Sequence, residues 1–264
     1  MAGVIVGVRK ATDNAAVRWA SAAAAIAGLP LHLVHVWDQP VDLSVDLDPD
    51  SLPDLIANAT AWAIQGDVAA TLLARRPELL VLGGREDRRR PSRITRACLR
   101  HSTCAVVVVP DRVRRPTGRV VVAVRFGDAS RTALRWAAAE ADRRRAGLVV
   151  VHAWQVQPGS AVDVVQPDRA ISLQRGAVNA RLRSWVQKTL GNVHVDVDIE
   201  AVHGSPLDAL LQFAPDADLI VLGRRPHSGV SRMLHDVLGN DLTSLAPCPV
   251  AVIPHLTTTA STPA

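Results

Sequence analysis

The chain has no tyrosine and two phenylalanines among its 264 residues, and tryptophan, with six copies, is its commonest aromatic. Surfaces that grip single-stranded nucleic acid interleave basic residues with stacking aromatics, so no specific nucleic-acid partner is expected. Lysine is nearly missing. Lys10 and Lys188 are the only two among 30 basic residues, and the rest are arginine. Cysteine occurs three times, an odd number without metal-ligand spacing, which argues against a disulfide framework and a cysteine zinc site and fits a reduced, cytoplasmic chain. There is no Gly-Lys dipeptide and no G-x-G-x-x-G, G-x-S-x-G or H-E-x-x-H. A Walker-type phosphate loop, a dinucleotide fingerprint, a hydrolase elbow and a zinc protease helix are thereby excluded. The longest apolar stretch, 19–31, is too short for a membrane span. The first residues, MAGVIVGVRK, lack a charged start before an apolar segment, so no secretion signal is expected.

What is present is a repeat. VIVGVR (4–9) returns as VVVAVR (120–125), and VRWA (17–20) as LRWA (134–137). LVHVW (33–37) returns as VVHAW (150–154), ELLVLGG (78–84) as DLIVLGR (218–224), and CAVVVVP (104–110) as CPVAVIP (248–254). Five blocks in the same order imply two homologous domains, 1–112 and 118–256, joined through the charged linker DRVRRPTG (111–118) and followed by a tail at 257–264. In each half, short Val/Ile/Leu runs alternate with longer amphipathic segments. Such runs suit strands buried on both faces, and their alternation with helices implies an α/β fold with a parallel sheet. In the segment 128–147, Asp128 or Ser130 can start a helix and Gly147 can end it.

The repeat offset changes along the chain. His35 to His152 spans 117 residues, but Gly66 to Gly204 spans 138. The second half carries a full helical segment at 166–192, whereas the first keeps only DSLPDLIANA (50–59), broken by Pro53. The first domain is therefore expected to have a shortened second helix, a thinly covered sheet face, and a tendency to self-association or partner docking near 50–59.

The segments VAVR…ALRWAAAEA, VVHAW, GSPLDAL, ADLIVLG and APCPVAVIP resemble the universal stress protein family in its tandem form, and the resemblance covers 4–110 and 120–254. It implies two Rossmann-like domains of the adenine-nucleotide α-hydrolase type, each a five-stranded parallel sheet with helices on both faces. It also implies that the last strands of the two halves pair antiparallel as an internal pseudo-dimer. Members that bind ATP carry G-x2-G-x9-G-[S/T] after the fourth strand, where small residues let backbone amides approach phosphates beside a helix N-terminus. Counting the last pair back from the cysteine, these positions are Gly223, Pro226, Asp236 and Val237 in the second half, and Gly83, Glu86, Ser92 and Arg93 in the first. One glycine survives in each, with Gly229 also inside the second loop. An aspartate that the family places near adenine is Arg9 in one half and Arg125 in the other. ATP is the ligand the resemblance implies, and both motifs are degenerate; no cofactor or metal is assigned, and the second crevice is expected to be the better pocket. The expected function is a non-enzymatic stress-response or regulatory protein acting by binding. A nucleotide sensor with an arginine-containing site and a weak ATPase are the alternatives.

Other residues carry chemistry of their own. His35 and His152 repeat near the carboxyl ends of their strands, the edge where open α/β sheets bind ligands. Trp37 and Trp154 repeat beside them, as crevice walls or as core. The loop and helix at 84–101 hold seven arginines, of which Arg93, Arg96 and Arg100 share one helix face. That face is a candidate anion site or a solvated surface. Cys104 and Cys248 precede the last strands, as small buried residues or as redox thiols. Asp46, Asp48 and Asp50 form an acidic loop without the turn glycine and distal glutamate of a calcium site.

Overall fold

The computed structural model describes residues 3–8, 15–37, 59–84, 91–155, 167–224 and 232–255. Arg9, the acidic loop with Asp46, Asp48 and Asp50, the segment 50–58, Glu86, Arg88 to Arg90, Pro226, Gly229 and the tail 257–264 lie outside those residues. The first half runs β1 (Val4–Val8), α1 (Ala15–Ala27), β2 (Leu31–Trp37), β3 (Ala59–Gln65), α2 (Val68–Ala74), β4 (Leu79–Gly83), α3 (Arg93–His101) and β5 (Ala105–Val109). The second runs β6 (Arg119–Ala123), α4 (Asp128–Arg144), β7 (Gly147–Trp154), α5 (Pro167–Leu190), β8 (Val197–His203), α6 (Pro206–Phe213), a 3₁₀ turn (Ala214–Asp216), β9 (Leu219–Arg224), α7 (Arg232–Leu245) and β10 (Val250–Pro254).

All ten strands form one sheet in the order β3-β2-β1-β4-β5-β10-β9-β6-β7-β8. Within each half the pairing is parallel. The halves meet where β5 and β10 run antiparallel, with Val108 opposite Val250, Val107 opposite Ala251 and Val106 opposite Val252. This is the internal pseudo-dimer that the family resemblance implies. Both strands are buried along their whole length, because side chains on either face of an interior strand must pack under helices. Ile5, Leu80, Leu134, Leu219 and Ile220 are essentially inaccessible, each worth about 1.5–3 kcal/mol of hydrophobic transfer.

Several side chains fasten the linker and the seam between the halves. Asp218, at the entrance of β9, accepts hydrogen bonds from the Thr117 amide (2.6 Å), the Thr117 hydroxyl (3.0 Å) and the Gly118 amide (2.8 Å). The linker is thereby fastened at its exit, where otherwise bare amides would meet solvent. Glu140 is nearly buried and takes both Arg143 (2.8 Å) and Arg144 (2.7 Å). Arg144 also lies over the Trp19 ring, 4.9 Å from its centroid, so α4 of one half touches α1 of the other through a cation–π contact.

The two sheet ends differ. α5 covers β8 with Leu182 and Val186, and Val197, Ile199 and Ala201 pack into the same core. β3 is the counterpart of β8, yet Thr60, Ala61, Trp62 and Ala63 are all exposed.

Candidate functional site

In each half the order of connection reverses between two neighbouring strands, β1 and β4 or β6 and β9. A crevice must open at their carboxyl ends, because the chain leaves them toward opposite sides. Val8 and Gly83 end the first pair, and Ala123 and Gly223 stand near the end of the second.

The repeated histidines fasten these ends. His35 Nδ1 lies 3.0 Å from the Val8 carbonyl oxygen and His152 Nδ1 lies 2.9 Å from that of Val124. A carbonyl can only accept, so Nδ1 is the donor in both rings. The two rings thus tie the last turn of the central strand to its neighbour. Burial pushes the His152 pKa down; the bond to Val124 opposes this, and the nearby Arg125 and Arg181 charges add to it. Burial thus favours the neutral form of the His152 imidazole.

The repeated tryptophans diverge. Trp37 is half-buried and stacks on His35 at 6.0 Å, whereas Trp154 is buried and meets the His203 ring edge-on at 4.9 Å. Trp154 Nε1 has no acceptor among the described residues, which costs about 1–3 kcal/mol for a buried donor. The carbonyls of the same two residues repeat their role. The Gly66 amide donates to Trp37 O at 2.9 Å and the Gly204 amide to Trp154 O at 3.0 Å. Both glycines hold φ near +150° (151° and 145°), a conformation closed to most side chains.

Side chains of the chain itself meet at the mouth of the second crevice. Phe126 follows Arg125 in the β6–α4 loop and packs against His152 at 4.9 Å between ring centres. Trp185 of α5 meets it edge-on at 5.9 Å, and the Arg181 guanidinium sits 4.2 Å from its centroid. Arg181 and Trp185 lie four apart on one helix face, so a single turn of α5 delivers both. Arg125 is exposed, and its amide donates to Ser130 Oγ at 2.9 Å. Below the stack, the first turn of α4 presses on β9. A methyl added at Gly223 would run into the Ala129 carbonyl and stand 2.9 Å from its carbon. The sequence expectation that this half keeps the better pocket therefore meets a different geometry: its surviving glycine serves helix–strand packing and its mouth carries an aromatic stack. At Gly83, among the described residues, an added methyl would meet Ala16 Cβ at 3.8 Å.

The end of β9 is tied to the first half. Arg224, the last residue of β9, donates to Leu99 O (2.8 Å) and Ser102 O (2.6 Å). These carbonyls end α3, where the macrodipole is negative. α3 itself begins at the Ser92 cap, whose hydroxyl accepts from the Thr95 amide at 3.0 Å. Arg93, Arg96 and Arg100 are exposed along it. Asp236 and Val237 fall within α7. Cys98 and Cys248 are buried, and burial pushes both thiols up to about 12; Cys104 is pushed up by burial as well, against the bond from Ser102. These thiols do not ionise near neutrality and are packing groups. Sequence reading missed Phe126, Arg181, Trp185 and Arg224; one of only two phenylalanines beside the strand end was the signal available.

The architecture is thus a doubled, doubly wound α/β protein with ligand-type crevices at two topological switch points. The chain belongs to the universal stress protein family, whose sequence model (Universal stress protein family) matches residues 116–254. It is similar to Universal stress protein Rv2623 of Mycobacterium tuberculosis, 29% identical over 286 aligned positions that cover 95% of each chain. It is similar also to Universal stress protein Rv2005c of the same organism, 26% identical over 296 positions covering 95% of this chain and 96% of the other. Among solved structures, a universal stress protein from Archaeoglobus fulgidus shares the fold, with a TM-score of 0.65 at 16% identity over 96% of both chains. The protein PA1789 from Pseudomonas aeruginosa, described as functionally unknown, does so at a TM-score of 0.63 and 18% identity over 96% of this chain and 92% of that one.

Proposed function

We propose that this universal stress protein works by binding, without catalysis, in stress adaptation or regulation, and that its second crevice has turned from a nucleotide seat into a packed joint. The observation that carries the reading is the Phe126 stack on His152, Trp185 and Arg181 at the strand ends. A ligand entering there must first break that stack. Gly223, which an ATP site would use for close backbone approach, is instead spent on the Ala129 contact. Residues 1–112 and 118–256 are the two working units in this reading, with 257–264 as a tail. A cytoplasmic setting rests on the sequence and on the three free thiols.

A nucleotide sensor with an altered, arginine-containing site is the second reading. The Arg125 and Arg181 charges beside His152 and the unpartnered Trp154 donor favour it, since an anionic ligand would answer both. Weak ATP hydrolysis remains the third. Calorimetric titration with ATP, ADP, AMP and cyclic AMP decides between the first two, with native mass spectrometry of ligand carried through purification. Wild type is expected to bind ATP no tighter than about 100 µM, because each lost charge-assisted hydrogen bond removes roughly 1.5–3 kcal/mol. Phe126→Gly is expected to bind more tightly than wild type. Micromolar ATP binding by wild type, or release of phosphate that His152→Asn abolishes, would overturn the binding-only reading.

A further inference from the structure

The ten-stranded sheet has two free ends, and they are built differently. β8, VDIEAVH, places Asp198 and Glu200 on its exposed positions. Charges on an edge strand oppose pairing with another copy, because like charges would face each other in low dielectric. β3, ATAWAIQ, has no charged residue and no proline, and four consecutive residues of it are exposed, including Trp62 at 38%. Among the described residues only β2 pairs with it, so among them one row of its backbone amides and carbonyls has no strand partner. A long, neutral, partly apolar edge of this kind is a template for another strand.

The molecule already shows which strand such an edge accepts. β5, AVVVV, and β10, VAVIP, are likewise uncharged, belong to like halves, and close each other's edges by antiparallel pairing about a pseudo-two-fold axis. We infer that β3 pairs antiparallel with β3 of a second copy of this chain, joining two ten-stranded sheets into one. An antiparallel two-fold pair centred on Trp62 sets Trp62 opposite Trp62, Ala61 opposite Ala63 and Thr60 opposite Ile64. Trp62, Thr60 and Ile64 share one strand face; the Arg75 guanidinium lies 5.5 Å from the Trp62 ring centroid, and the two indoles become cross-strand neighbours that shield part of each other's exposed surface. No charged side chain of either strand opposes another in this register. A two-fold interface is self-complementary by construction and therefore closes at the dimer. One strand pair is a small interface, so the dimer is a weak, reversible one. This inference does not rest on the ligand reading of the crevices.

Sedimentation velocity of the full chain over a concentration series tests it, with hydrogen exchange of residues 59–65 measured at low and high concentration. A monomer–dimer equilibrium is expected, with slower exchange in that strand alone as the dimer forms. Ala61→Glu with Ala63→Glu sets two carboxylate pairs face to face and should weaken the dimer about tenfold or more. Ala61→Lys with Ala63→Lys should do the same. Both positions are exposed, so circular dichroism should report folded chains. An equimolar mixture of the two variants should recover the association, as heterodimer with two Glu–Lys pairs. A wild type that stays monomeric at millimolar concentration overturns the inference. So do a Glu variant that dimerises like wild type, and variants that fail to associate on mixing.

Discussion

Two residues carry most of the story of the second crevice, and each has a measurable consequence. Gly223 sits under the Ala129 carbonyl, so Gly223→Ala overpacks the joint between α4 and β9. It should cost about 1–3 kcal/mol, read as a lower urea midpoint at constant slope. An unchanged midpoint would mean that the helix yields freely. His152 is held neutral by burial, with Arg125 and Arg181 reinforcing the effect. Its pKa is lower in the folded state than in the unfolded state, so the unfolded chain binds the extra proton. Stability is therefore complete above the unfolded value of about 6.5 and falls as pH drops below it, until the folded pKa is passed. His152→Asn keeps a donor near the Nδ1 position and cannot take that proton. It should flatten the fall in melting temperature between about pH 7.5 and 5, and an unaltered pH profile would assign the loss to other groups. The histidine pair was visible in the sequence as a repeat. The direction of its shift was not, because burial, its largest cause, depends on what packs around the ring, and Arg181 adds to it from a helix 29 residues further on.

At the scale of elements, strands and helices were largely readable, because buried parallel strands write themselves as unbroken Val/Ile/Leu runs. VIVGV, LLVLG, AVVVV, RVVVA and VAVIP are all strands. The Ser92 cap of α3 shows the same local logic. β3 was harder: ATAWAIQ has neither a long aliphatic run nor polar alternation, and only pairing with β2 makes it a strand. α3 also carries the arginine face, and its prediction belongs here. Arg93, Arg96 and Arg100 are exposed, so an anion held there is held by charge. Polyphosphate or short RNA should bind with little regard to base, lose affinity steeply as salt rises, and fail on a variant with all three replaced by serine. That variant should keep its stability, since solvated charges contribute little. Salt-insensitive binding, or binding unchanged in the variant, would reduce the face to a solvated surface.

For the whole molecule, the central fact is that two like halves share one ladder and one core. The largest apolar cluster runs from Val4 to Ile253 through residues of both halves. A single cooperative transition is expected, with calorimetric and van't Hoff enthalpies in agreement; two separate transitions would show independent halves. Arg224 adds an asymmetric tether from β9 to the end of α3. Arg224→Ala should cost about 1.5–3 kcal/mol, and Arg224→Lys should restore only part of it, because a single ammonium nitrogen replaces the two guanidinium nitrogens that reach Leu99 O and Ser102 O separately. Full rescue by lysine would reduce the tether to simple charge.

The sequence by itself determined the duplication, the α/β class, the parallel strands of each half and the meeting of the halves at β5 and β10, while the antiparallel sense of that meeting was implied by the family resemblance. The rest follows from local periodicity and from two uncharged edges that must be covered. It also determined that the phosphate-loop pattern is broken in both halves, since that is a matter of which residue stands where. Only the tertiary structure decided what replaced the pattern. Phe126, His152, Arg181 and Trp185 are scattered over 60 positions of chain, and their stack exists because α5, packed on α4 and β8, brings Arg181 and Trp185 to Phe126. Arg224 and α3 are joined across 122 to 125 residues. Such contacts obey the geometry of the packed sheet, which couples residues by position in space and leaves no mark in local spacing.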